Sequence, residues 1–124
     1  MAEDAFDEAE IRTAERALEV ALASPDRTEW VYSYAEDAVF DAGGDHAVEG
    51  RAALLEMAAT MAPLSSVSIR PLRTEGHGHL ATVWCEAEWI SGPPEAGHRV
   101  EVRGMILWRQ EVDGTWRVAI EHIG

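Results

Sequence analysis

The sequence has no lysine, a single cysteine, and no apolar run near the roughly 18 residues of a membrane span. Each shortage excludes something. One cysteine permits no internal disulfide, and Cys85, among strand-forming neighbours, is expected to be a small buried apolar side chain. The missing apolar run argues against a membrane partner. The opening MAEDAFDEAE lacks the basic start and apolar stretch of a secretory signal, so a cytoplasmic location is expected. Basic charge is scarce too: ten Arg face 23 Asp and Glu, for a formal charge of -13. Fourteen of those acids fall in residues 1–50, against Arg12, Arg16 and Arg27. Such a surface repels phosphate backbones, so no nucleic acid partner is expected. A phosphate loop, a Gly-x-Ser-x-Gly elbow and a dinucleotide fingerprint are also missing, and no cofactor is expected. His77-Gly78-His79 has no third ligand nearby, so no metal is expected.

Hydrophobic residues are plentiful, at 47% with five Trp, enough for one core in a single domain over residues 1–124. Ile11, Ala14, Leu18, Ala21 and Leu22 recur at helical spacing and predict a helix over 5–23, with Glu8, Glu15 and Glu19 on another side. Ser24-Pro25 stops it and starts a second helix over about 25–34. A short strand over 38–41, a turn at Gly43-Gly44-Asp45 and a third helix over about 51–61 follow.

From Val67 onward the period is two. Strands are predicted over about 66–74, 80–90, 98–111 and 115–122, the last two joined by the Asp113-Gly114 hairpin turn. Three helices followed by an antiparallel meander is an α+β pattern. Both faces of the last strands carry apolar residues. Helices cover one face only, so a second copy is expected to cover the other, giving a homodimer packed sheet to sheet through the convex face.

Three motifs in order carry a family resemblance: Tyr34-Ala35-Glu36-Asp37-Ala38-Val39-Phe40, then Val48-Glu49-Gly50-Arg51, then Trp108-Arg109-Gln110 through Asp113-Gly114-Thr115-Trp116-Arg117-Val118. Together they resemble the nuclear transport factor 2-like superfamily, in its SnoaL-like and ketosteroid isomerase-like branch. The resemblance implies three helices packed in the concave face of a curved, mainly antiparallel sheet, a cystatin-like cone with a pocket. Such folds host isomerases, cyclases, hydrolases and binding modules, so fold alone does not give function. Steroid isomerisation needs a carboxylate base, plus a tyrosine and a protonated aspartic acid for the enolate oxygen. The resemblance places those three on Ala42, Leu18 and Ile106, all apolar here. Steroid-isomerase chemistry is therefore not expected, although Tyr34 is retained at a position that supports the oxyanion network in the resembling enzymes.

The same resemblance puts Thr82, Trp84, Glu86 and Glu88 on the pocket face, with Glu121 on that face of the last strand. Glu121, Glu86 and Glu88 are candidate acid–base groups, because burial beside other carboxylates raises a carboxyl pKa, and Tyr34 is the candidate hydrogen-bond donor. The alternative is that Glu86 and Glu88 point outward, with Arg103 as a partner. Trp30, Phe40, Ala42, Met57, Met61, Trp84, Ile106 and Trp108 are candidate substrate-binding walls, and His46 a candidate at the rim. The expected ligand is a small apolar oxygenated molecule, polyketide-like or terpenoid-like, undergoing cofactor-independent isomerisation, cyclisation or hydration. The alternative function is a non-catalytic dimeric binding or association module. The enzyme reading expects the candidate glutamates on the concave side and a cavity near the floor of about 300 Å³ for ligand pockets, and either failing counts against it.

Overall fold

The computed structural model describes residues 7–44, 46–93 and 95–124; residues 5 and 6 of the predicted first helix, Asp45 of the glycine turn and Pro94 of the loop before the third long strand lie outside them. Helix α1 spans Glu8–Ala23, and the Asp7 carboxylate caps it by accepting from the Ala9 N–H at 2.9 Å. Its buried stripe is Ile11, Glu15, Leu18 and Ala21. Glu15 therefore lies on the packed side, not with Glu8 among solvated acids. Arg12 makes this tolerable: its guanidinium pairs with Glu15 and Glu8 and donates to Thr74 Oγ1 across the fold. Burial pushes the Glu15 pKa up, and Arg12 opposes the shift.

Ser24 closes α1, and Asp26 caps α2 (Arg27–Tyr32) by accepting from the Thr28 N–H at 3.0 Å. The predicted second helix ran to Tyr34; the observed one stops at Tyr32. Tyr34 instead opens strand β1 (Tyr34–Asp41), which pairs in parallel with the last strand, Tyr34 opposite Val118. Strand pairing here overrides local helical preference. After the two-residue strand β2 (Val48–Glu49), helix α3 (Arg51–Thr60) starts at Gly50, whose φ of 88° is in the left-handed region that glycine accepts without strain. Gly50 N–H donates to Ala38 O at 2.8 Å, and Arg51 donates to Tyr34 O at 2.7 Å while lying over the Tyr32 ring. The Gly50-Arg51 pair thus fastens α3 to the start of β1.

The remaining strands are β3 (Leu64–His77), β4 (Leu80–Ser91), β5 (His98–Gln110) and β6 (Trp116–Ile123). The sheet order is β2-β1-β6-β5-β4-β3, and every pair except β1–β6 is antiparallel. This is the expected α+β fold, a curved sheet with helices on its concave side. Ala81, Val83 and Cys85 of β4, Ile106 and Trp108 of β5, and Val118 of β6 form one core with Ile11, Leu18, Trp30 and Leu54 from the helices. Among the described residues no helix is long and apolar enough to cross a membrane.

Candidate active site

Between the helices and the concave sheet face lies a cavity of about 180 Å³. Leu18 and Leu22 of α1, Trp30 of α2, and Met57 with Met61 around α3 form its helical wall. Tyr34 and Phe40 of β1, Cys85 and Trp89 of β4, Ile106 of β5 and Glu121 of β6 are among its sheet residues. Among the described residues no Arg lines it, Glu121 is the only carboxylate in the wall, and Tyr34 the only phenol.

The two meet. Tyr34 Oη–H donates to Glu121 Oε1, joining residues 87 apart in the chain. The contact follows from the sheet: Tyr34 sits opposite Val118 and Phe40 opposite Glu121, with a register shift between Tyr34 and Val39. Arg51 holds the Tyr34 carbonyl, so the phenol enters from a fixed backbone. The Tyr34 ring meets Trp30 edge-on at 5.3 Å and Phe40 at 6.5 Å.

Burial pushes the Glu121 carboxyl up to about 7, with the Tyr34 hydrogen bond pulling the other way. Glu121 keeps some accessible surface because the cavity reaches it, yet protein atoms surround it closely enough to strip most of its hydration. Tyr34 is raised well above the usual phenol range, by burial first and then by the Glu121 charge, so it stays a donor. Cys85 is pushed up to about 12 by burial, with Glu121 adding to it, so the thiol is not a nucleophile near neutral pH. The site can therefore take and return one proton near pH 7 inside an apolar chamber.

Of the candidate groups, Glu121, Tyr34, Trp30, Phe40, Met57, Met61 and Ile106 come together at the cavity. Leu18, where the resemblance expects an oxyanion tyrosine, is also a wall, so that position carries no donor here. Glu86, Glu88 and Trp84 do not reach the cavity; they lie on the opposite, convex face. Glu86 is opposite Arg103 and Arg70, pairing with both, and Glu88 pairs with Arg99 at 2.7 Å. Trp84 is exposed beneath the Arg73 guanidinium at 5.4 Å. Strand parity is the reason: a shift of one residue moves a whole set to the other face. The inward set of β4 is Ala81, Val83, Cys85, Ala87 and Trp89, and its unbroken apolar character was the available signal. Ala42 and His46 are exposed and outside the lining, and Trp108 is fully buried in the core beside it. The cavity is also smaller than the about 300 Å³ expected for the enzyme, so of that expectation only Glu121 on the concave side is met, and a multi-ring ligand does not fit this conformation. Among the described residues no three His, Cys, Asp or Glu side chains converge as a metal site would require.

The profile of the SnoaL-like domain family matches residues 14–119. No protein with curated annotation matches in sequence. Among solved structures, the chain is similar to a ketosteroid isomerase-like protein from Erwinia carotovora atroseptica, at 20% identity and a TM-score of 0.77, covering 95% of this chain and 96% of that one. It is also similar to a conserved protein from Planctomyces limnophilus, at 19% identity and a TM-score of 0.79, covering 95% and 96%. A nuclear transport factor 2-like protein with a cystatin-like fold from Novosphingobium aromaticivorans matches at 17% identity and a TM-score of 0.71, covering 94% and 80%. At these identities the structures speak for the fold. The match along residues 14–119, together with the helix-lined cone and its cavity, places the chain in the SnoaL-like domain family.

Proposed function

We propose that the chain is a cofactor-independent acid–base enzyme acting on a compact, neutral, largely apolar molecule with one oxygen function. The observation that carries this is the Tyr34–Glu121 pair in a wall that is otherwise almost wholly apolar. A carboxyl that changes state near pH 7 supplies proton acceptor and donor from one atom set. Ionised Glu121 removes a proton from one carbon of the ligand and returns it to another, so the product is an isomer and no co-reactant is consumed. Cyclisation fits the same balance when the returned proton goes to a different atom.

Size and charge set the substrate class. A cavity of about 150 Å³ holds a benzene-sized molecule. The 180 Å³ here suits a single ring or a short branched chain, monoterpene-sized at the upper limit. An anionic ligand would meet Glu121 with no cation among the described lining residues to offset it.

The test is turnover of a panel of compact ketones, enones and epoxides by the native chain and by Glu121→Gln. The native rate is expected to change through pH about 7, and Glu121→Gln to lower it roughly a hundredfold or more. If no compound is turned over faster by the native chain than by Glu121→Gln, the acid–base reading fails. A second reading, a ligand-binding module without chemistry, has its own support in the apolar Leu18 and Ile106 walls, which supply no donor for an enolate oxygen. Saturable binding with no turnover would select it.

A further inference from the structure

The cavity needs an entrance, and burial along its wall shows where it lies. Leu18, Tyr34 and Ile106 are fully buried. Leu22, Met61, Leu64, Val67 and Trp89 are partly exposed, and they cluster where α1 and α3 end, β3 starts and β4 ends. Most of this rim is held in place. β4 carries Trp89 between two paired strands. Met61 follows α3, and the next carbonyl, Ala62 O, accepts from Arg27 at 2.7 Å. The start of β3 is different, because β3 is an edge strand paired with β4 alone.

That pairing breaks at the rim. Leu64 and Ser65 stand opposite Ser91 and Ile90, and Ser68 stands opposite Glu88, so Ser66 and Val67 share the one position facing Trp89. The extra residue is a bulge. It changes the parity of the strand, which is why Leu64 and then Val67 and Ile69 all line the cavity. Ser66 adopts a φ of 52°, in the left-handed region that a residue with a side chain rarely occupies. A segment that is paired on one side, bulged and strained opens at lower cost than the strands around it.

Its two ends are tied. At one end the Gly92 N–H donates to Pro63 O at 2.9 Å. At the other the Ile69 N–H donates to Glu19 Oε2 of α1 at 2.6 Å. Two helical turns earlier, Arg12 donates to Thr74 Oγ1, so β3 beyond Ile69 has a second fastening to α1. We propose that residues 64–68 are the door of the cavity and Glu19 its latch. When Ile69 lets go of Glu19, the bulged segment swings away from Trp89 about the Pro63 tie, and a compact neutral molecule enters between α1 and β3. A carboxylate suits the role: it is a strong acceptor for a main-chain N–H, and water satisfies it once the door is open. Glu19 is outside the cavity lining and acts as a positioning residue, setting the rate of entry without touching the ligand. The inference rests on the cavity receiving a ligand, not on what Glu121 does to it.

The experiment uses Cys85, the sole cysteine, which lines the cavity inside the door. Methyl methanethiosulfonate is a compact neutral reagent. The Cys85 thiolate attacks its divalent sulfur, a disulfide to the S-methyl group forms, and methanesulfinate leaves; mass spectrometry follows the gain. At one fixed pH, Glu19→Ala is expected to react about tenfold faster than the native chain, as the loss of a charge-assisted hydrogen bond implies. Glu19→Gln keeps an acceptor for the Ile69 N–H and is expected to stay within about twofold of native. Low urea separates the door from unfolding: a rate through the door stays nearly flat, whereas a rate through global unfolding climbs with the unfolding slope. Equal rates in the native chain and Glu19→Ala overturn the inference. So does a Glu19→Gln rate as high as that of Glu19→Ala, which would trace the effect to lost charge, or a steep urea dependence in Glu19→Ala. No turnover enters these rates. A door that behaves as expected in a chain without turnover would sink catalysis and keep the entrance; turnover that requires Glu121 with no Glu19 effect on entry would do the reverse.

Discussion

A carboxyl facing an apolar cavity makes stability depend on pH in a direction opposite to that of a salt-bridged acid. Glu121 has an ordinary value of 4.5 and is pushed to about 7 in the fold. Between those values the unfolded chain releases a proton that the folded chain keeps. The contribution of Glu121 is therefore fully favourable below pH 4.5, is lost as pH rises through about 7, and amounts to about 3 kcal/mol at most. Urea unfolding of the native chain and of Glu121→Gln at pH 5 and pH 8 isolates it. Glu121→Gln is expected to gain stability relative to the native chain on going to pH 8, and a constant difference between the two would refute the shift. The residues of this pair are legible in the sequence as separate candidates. Their contact is not, because it depends on a parallel pairing of β1 with β6 across 87 positions, which no local pattern encodes.

Among the elements, helices and hairpins were readable because their signals are local: the 3.6-residue stripe of α1, the Gly50-Arg51 start of α3, the Asp113-Gly114 turn. Strand faces were readable only where one set is uniformly apolar, as with Ala81 to Trp89. On β6 the alternation itself is broken. Leu107 pairs with Ile120 but Trp108 with Val118, so Ala119 is an extra residue and both Val118 and Ala119 are buried. This bulge lets Val118 and Glu121 share the inner face. It is followed by a close approach: a Cβ on Gly104 would lie 2.8 Å from His122 O and 2.7 Å from the Ile123 side chain. Gly104 also lines the cavity. Gly104→Ala is expected to push β5 and β6 apart, costing roughly 1–3 kcal/mol, and to weaken ligand binding beside Glu121. Thermal unfolding checks the first; a wild-type melting temperature would show that the strands yield without strain.

At the scale of the whole molecule, the convex sheet face is the remaining unexplained surface. Leu80, Trp84 and Ile120 are exposed on it at 48%, 37% and 39%, with Met105 and Leu107 between them in the register. We propose that a second copy of this chain covers it in a two-fold arrangement, and charge is what singles out the partner. At -13, two copies repel over most of their surfaces. Yet Arg70, Arg73, Arg99, Arg103, Arg109 and Arg117, six of the ten Arg, belong to this face, paired with Glu86, Glu88, Glu101, Glu75, Asp37, Glu111 and Asp113. It is close to neutral and apolar at its centre, so it is where copies approach with least repulsion, each patch meeting itself. Light scattering at micromolar concentration is expected to give twice the chain mass, with association strengthened by salt as the residual repulsion is screened. Ile120→Glu places a carboxylate opposite its own symmetry mate's patch and is expected to yield a folded monomer with an unchanged cavity. A native chain that stays monomeric at micromolar concentration and high salt would rule out this interface.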